Sequence, residues 1–202
     1  MKITEDKFIY TLFFFAVSIH IILTIILPVS LSADSFQYLK LSNNPFDIGN
    51  LENRTLGYPL YIFILRLFEI FKIEFGIMLV IFVQSLMMIF IPIIIYLSFN
   101  IYNVLVSKII SIFYLIFLYP HWMSSQIMTE SLFLFLLALS ILFANKYFFT
   151  KNFFYLRSLL IIIFILVLVR PTSQLFIFIF PFIFIFYYFK QRNKNTIIHL
   201  CI

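Results

Sequence analysis

From Phe8 to Val29 the chain carries no Asp, Glu, Lys or Arg. An α-helix needs about 20 apolar residues in a row to cross the hydrocarbon of a bilayer. Inside lipid, only helices and closed barrels satisfy their own backbone hydrogen bonds. That one run therefore points to a membrane and to helix as the building element. Phe75–Phe99 repeats the pattern, with Gln84 and Pro92 inside it. Val104–Tyr119, Met128–Phe149, Phe153–Val169 and Thr172–Phe189 follow, the last two separated by Arg170-Pro171. Ser30 and Ser32 would also suit cleavage of a signal peptide after the first run, but that run is long for the role and five more come after it. The predicted fold is all-α: a polytopic transmembrane helical bundle of about six spans.

Composition excludes the main alternatives. Hydrophobic residues make up 64% of the chain and charged ones 11%, against about 25% charged in a soluble domain, so no water-soluble surface can be built. Cys201 is the single cysteine and forms no internal disulfide. No His/Cys cluster has zinc-ligand spacing, and no glycine-rich phosphate loop occurs. The net charge of +6 does not call for nucleic acid as a partner, because the cations sit at the ends of apolar runs, where the positive-inside rule accounts for them.

The same rule arbitrates one ambiguous segment. Tyr58–Lys72 is apolar but short, and it carries Arg66, Glu69 and Lys72. If it stays on one side and residues 1–7 are cytoplasmic, the inner side receives Lys2, Lys7, Lys108, Lys146, Lys151, Arg157, Lys190, Arg192 and Lys194. That is nine of the 14 cations, with only Glu5 and Asp6 beside them. If it crosses, Lys146, Lys151, Arg157 and the Lys190–Lys194 cluster all face outward, against the rule. Tyr58–Lys72 is therefore predicted to be a juxtamembrane helix on the outer face, with residues 190–202 returning to the cytoplasm.

This topology gathers charge on the outer side. Asp34 follows the first span, Glu130 opens the fourth, and Arg170 joins the fifth to the sixth. Asp47, Glu52 and Arg54 share the loop Ser30–Gly57. Ionisable groups beside hydrocarbon are costly, so they are paired or functional. Two carboxylates and an arginine suit a lipid phosphate. The guanidinium fork binds phosphate through two parallel hydrogen bonds, and a carboxylate serves as general base toward a hydroxyl or holds a divalent metal. Structural alternatives stand beside this. Glu130 and Arg170 can be a helix-tying pair, and Asp34 an N-cap. His20 and Gln84 read as groups satisfied by neighbouring helices. His121-Trp122 lies at an outer helix end, where Trp122 anchors at the interface and His121 is either solvated or part of a site. Asn53-Arg54-Thr55 matches a glycosylation sequon, a short pattern that often occurs by chance.

Four motifs then resemble a family. Ser32-Ala33-Asp34-Ser35-Phe36-Gln37-Tyr38-Leu39 is similar to the first-loop aspartate motif of the GT-C membrane glycosyltransferases, among them the protein O-mannosyltransferases. Arg54-Thr55-Leu56-Gly57-Tyr58-Pro59-Leu60-Tyr61 resembles their Arg-x-x-Gly-Tyr-Pro-Leu element, which opens a juxtamembrane helix. Met128-Thr129-Glu130-Ser131-Leu132 resembles their later glutamate motif, and Arg170-Pro171 their Arg-Pro helix break. The resemblance runs over residues 8–190. It implies inverting transfer of a sugar from a polyprenyl- or dolichyl-phosphate donor to a lipid, glycan or protein acceptor on the non-cytoplasmic face. That face could be periplasm, cell surface or endoplasmic reticulum lumen, with a bacterial inner membrane preferred over the endoplasmic reticulum. Asp34 would be the general base or a metal-coordinating acid, with a divalent metal as the one cofactor to consider, and Glu130 a second acidic group. Arg54 and Arg170 would bind the donor phosphate, with Tyr38, Tyr58 and His121 as further substrate contacts.

Members of that family are usually about twice this length. The apolar stretch Thr196–Ile202 reads as the start of a seventh span, so a truncated or partial chain is expected. Two other functions compete: a flippase for a lipid-linked saccharide, and a non-catalytic subunit. A flippase would place its binding groups near mid-membrane and often carry repeats. No charge at mid-span and no repeat is evident.

Overall fold

A computed structural model describes residues 3–26, 31–47, 54–70 and 73–175. Among them every regular element is helical. The helices are α1 (Ile3–Ile26), α2 (Ala33–Ser42), α3 (Gly57–Arg66), α4 (Ile73–Phe99), α5 (Val104–Ile116), α6 (Leu118–Met123), α7 (Thr129–Thr150) and α8 (Phe153–Val169). Short 3₁₀ turns, Leu67–Ile70 and Pro171–Leu175, follow α3 and α8.

Lys7–Ile26, Phe75–Phe99 and Thr129–Thr150 are long and apolar enough to cross a membrane, so the chain is an integral membrane protein by length and composition of its helices. At about 1.5 Å per residue, α8 reaches about 26 Å and α5 only about 20 Å, against a hydrocarbon core of about 30 Å. The sixth apolar run enters the described residues only as the turn Pro171–Leu175. The rest of it, the Lys190–Lys194 cluster and the apolar end at Thr196–Ile202 lie outside the described residues, as do Glu52, Asn53 and Lys72.

One run divides where hydropathy gave no warning. Val104–Tyr119 was expected to be a single helix, yet α5 ends at Ile116 and Phe117 takes an extended backbone before α6. Pro120 supplies the reason. In a continuous helix its ring would meet the carbonyl of Ile116, and it has no N–H to donate there. In the first turn of α6 that N–H is not needed.

Local signals set the other ends. Asn103 and Asn152 cap α5 and α8, their side chains accepting from the N–H groups of Leu105 and Val106, and of Phe154. Lys151, at φ 56°, closes α7 and donates to the Tyr147 carbonyl. The two-residue turn at 151–152 sends α8 back along α7.

Side-chain contacts define the two ends of the bundle. Near one end, Phe8 of α1 packs on Tyr96 of α4 at 4.9 Å, and Lys108 of α5 lies 5.1 Å from the Phe8 ring. Asn145 of α7 donates to the Ser98 carbonyl of α4 at 3.0 Å, and Lys146 lies 5.5 Å from the Tyr155 ring. This end collects Lys108, Lys146 and Lys151. The opposite end holds α2, α3, α6, the start of α7 and the end of α8. α3 stays there: its first residue meets Leu168, and its last ties back to α2. Small and hydroxyl residues sit where helices touch, with Ala16, Ser98, Ser107, Ser111, Ala138, Ser140 and Ala144 all buried. Close van der Waals approach of this kind drives helix association in lipid, where apolar surface has no water to escape. Phe14, Ile25, Phe82, Phe113 and Phe164 face outward, each more than half exposed, as lipid-facing residues do.

Candidate functional site: a cleft with two carboxylates and two guanidiniums

α2 begins at a capping box. Ser32 Oγ accepts from the Ser35 N–H at 3.2 Å, and the Ser32 N–H donates to Ser35 Oγ at 3.1 Å. The N-cap is thus Ser32, and Asp34 does not cap the helix. With the cap filled, Asp34, Gln37 and Tyr38 fall on one face at i, i+3 and i+4 spacing. Arg54 meets all three: Nη2 donates to Asp34 Oδ1 at 2.6 Å and to Gln37 Oε1 at 2.8 Å, and Nη1 donates to Tyr38 Oη at 3.0 Å. Arg66, at the far end of α3, binds Ser42 Oγ at 2.9 Å and Asn43 Oδ1 at 2.8 Å. α2 and α3 are therefore held together near both ends.

The second pair comes from α7 and α8. Glu130 lies in the first turn of α7 and Arg170 at the end of α8, the helix ends at which the peptide dipoles favour a carboxylate and a cation respectively. Arg170 Nη2 is 3.5 Å from Glu130 Oε1, and its guanidinium lies 5.5 Å from the Phe133 ring. Ser173 fixes the backbone after it. Its hydroxyl donates to the Leu166 carbonyl at 2.7 Å and to the Arg170 carbonyl.

Both pairs line one open cleft together with Tyr38, Thr55 and Thr129. It encloses about 550 Å³, including the part open to solvent. Residues 34, 54, 130 and 170 come from four separate chain segments and meet because α3, α7 and α8 all present one end there.

Two expected contacts lie elsewhere. Tyr58 is wholly buried beneath Tyr38, ring edge to ring face at 4.8 Å, and does not line the cleft. Burial pushes its hydroxyl well above its usual range, so it stays protonated and supports Tyr38 from below. His121 is not solvated. Its Nδ1 lies 3.0 Å from His20 Nε2, both rings are buried, and they line a second cavity, with Ser85 and Trp122, of about 320 Å³ including open solvent. The break at Phe117 turns α6 back onto α1 and α4 and takes His121 away from Asp34. Asp47 does not line the cleft either.

Sequence reasoning missed Gln37, Thr55, Thr129 and Ser173. The i+3 spacing of Gln37 from Asp34 was the one available signal. Gln84 behaves as a group satisfied by its neighbours, donating to Tyr58 Oη at 2.8 Å and to the Met128 carbonyl at 3.0 Å. It bridges α4 to α3 and to the start of α7. Gln84→Leu should strand both acceptors in an apolar setting, at a cost of about 1–3 kcal/mol. A clear fall in the melting temperature of the detergent-solubilised protein is expected, and an unchanged one would show that the bridge carries no stability.

Among the described residues no three His, Cys, Asp or Glu groups converge, and each cleft carboxylate already faces a guanidinium. No protein-family model, no curated protein and no solved structure matches the chain.

Proposed function

We propose that the chain is an integral membrane glycosyltransferase, transferring a sugar from a polyprenyl phosphate to a hydroxyl acceptor. One observation carries this reading: Asp34, Arg54, Glu130 and Arg170 line a single cleft at one end of an apolar bundle. A lipid-linked sugar phosphate needs that combination. Its tail lies along apolar helices, its phosphate faces guanidiniums, and its sugar reaches a polar cavity with a base. The motifs around these residues resemble those of a family performing this class of transfer. Lys108, Lys146 and Lys151 at the opposite end orient the cleft to the non-cytoplasmic side by the positive-inside rule, with residues 1–7 cytoplasmic and the shorter helices α5 and α8 also crossing.

The chemistry balances without a metal. The acceptor oxygen attacks the anomeric carbon from the face opposite the phosphate, while Asp34 takes the hydroxyl proton. The bond from the anomeric carbon to the phosphate oxygen breaks, and the phosphate leaves with the electron pair. The charge that grows on it is held by Arg54 and Arg170. Asp34 then gives its proton to water. Glu130 stands beside Arg170 and offers a second acceptor for hydrogen bonds from the sugar or the incoming hydroxyl.

The test is transfer in proteoliposomes, with a polyprenyl phosphohexose labelled in its sugar and a membrane-lipid extract as acceptor source. Label in a new product and free polyprenyl phosphate are expected together. Arg54→Ala or Arg170→Ala should lower the rate about 10²- to 10³-fold, the loss typical when one stabiliser of developing charge is removed. Movement of the donor across the bilayer with no glycosylated product would replace this reading with a flippase.

A further inference from the structure

We infer that Asp34 and Glu130 compete with the substrate phosphate for the two guanidiniums, so that phosphate binding is what frees Asp34 to act as base. This rests on reading the cleft as a lipid-phosphate site. Arg54 Nη2 contacts Asp34 at 2.6 Å and Gln37 at 2.8 Å, and Nη1 contacts Tyr38 at 3.0 Å. Both terminal nitrogens of the fork are engaged on α2. A bidentate phosphate needs two parallel N–H groups from that same edge, so full engagement takes Arg54 away from partners on α2, and among these Asp34 is the one charged competitor of a phosphate. While it holds, the Asp34 oxygen nearest the arginine is occupied by a charge-assisted hydrogen bond and is a poor acceptor for a hydroxyl proton.

The two pairs are unequal, and this implies an order. Arg170 stands 3.5 Å from Glu130, beyond a strong charged hydrogen bond, whereas Arg54 stands 2.6 Å from Asp34. The looser arginine is the easier one for an incoming phosphate to recruit. Arg170 makes the first contact, Arg54 swings to the phosphate second, and Asp34 is released last. The exchange is feasible because the side chains of both pairs are 29–43% exposed, and ion pairs this open to solvent are weak. The consequence is that Asp34 becomes a stronger base once the donor is seated, because the guanidinium no longer holds Oδ1. A hydroxyl acceptor arriving first finds that oxygen engaged.

Asp34→Asn, which removes the proposed base, should bind the donor phosphate more tightly. Removing a competitor at the upper end of that strength, about 1 kcal/mol, corresponds to a gain in affinity of up to about fivefold. Glu130→Gln should gain less, because its pair is longer. Asp47→Asn removes the same charge outside the cleft and should leave affinity within about twofold. In an Arg54→Ala background the gain from Asp34→Asn should vanish, since the competition runs through that guanidinium. Simple repulsion between carboxylate and phosphate would persist there.

The measurement is binding of polyprenyl phosphate, with unphosphorylated polyprenol as reference, by the full chain in liposomes. The expected result is tighter binding by Asp34→Asn that depends on Arg54. Binding of the phosphate by wild type with no gain in Asp34→Asn, or with a gain that survives Arg54→Ala, overturns the competition and leaves the glycosyltransferase reading standing. No preference of wild type for polyprenyl phosphate over polyprenol overturns both.

Discussion

Replacing Asp34 by Asn is expected to abolish sugar transfer while leaving the helical bundle assembled. The fold should survive for reasons visible around α2. The helix is capped by Ser32 and Ser35, so Asp34 is not needed to start it. Arg54 keeps Gln37 and Tyr38 as partners, and Asn matches Asp in size. The pair that is lost is partly exposed, and such pairs contribute about 0.2–1 kcal/mol. The chemistry has no such reserve. An amide cannot take the acceptor proton, and a positioned general base contributes about 10²- to 10⁴-fold to rate. Transfer should fall by that factor at saturating donor, with a melting temperature close to wild type. Because the same substitution should strengthen phosphate binding, the loss belongs to turnover and not to donor affinity. Transfer at the wild-type rate by Asp34→Asn would remove Asp34 from the mechanism.

The bundle and the charged cleft were not equally legible in the sequence. Apolar runs locate helices well because length and lack of charge decide them: Phe153–Val169 is a helix over those same residues, and Met128–Phe149 differs from α7 by one residue at each end. The meeting of Asp34, Glu130 and Arg170 at one end follows from alternating helix direction alone, which a count of cations suffices to set. Facing is harder. In α3, Gly57–Arg66, every residue but Arg66 is uncharged and nearly all are apolar, so hydropathy cannot say that Tyr58 turns inward while its neighbours pack elsewhere. α6 begins inside a continuous apolar run, and Pro120 marks a break without saying where the chain goes next. The His20–His121 contact, between residues 101 positions apart, depends on that turn and has no local signature. The Glu130–Arg170 pair was among the sequence alternatives, but the partner of Arg54 was open. Nothing in the spacing says that Arg54 holds Asp34 and Gln37 together.

The glycine that opens α3 ties the two halves of the cleft to each other, and its replacement should have the second large effect. A Cβ built on Gly57 would lie 2.6 Å from both the carbonyl carbon and oxygen of Leu168 and 2.9 Å from the Val169 nitrogen. All three are backbone atoms near the end of α8, so no rotamer change relieves the contact. α3 and α8 must move apart. Helix propensity pulls the other way, since Ala is favoured over Gly by about 1 kcal/mol in a helix interior, though less at a first residue. Forcing extra volume into a packed contact costs about 1–3 kcal/mol, and here the obstacle is main chain, so the steric term wins. Function should suffer more than stability. Arg54 lies three residues before Gly57, and Arg170 two residues after Leu168, so separating the helices separates the two guanidiniums that are proposed to share one phosphate. Gly57→Ala should therefore lower the melting temperature and reduce transfer at least tenfold, with Gly57→Val worse on both counts. The discriminating comparison is with Gln84→Leu, which loosens the same region from beneath without entering the α3–α8 contact. If Gly57→Ala loses no more activity than Gln84→Leu at equal loss of stability, the close approach of α3 to α8 serves packing alone and does not set the spacing of Arg54 and Arg170.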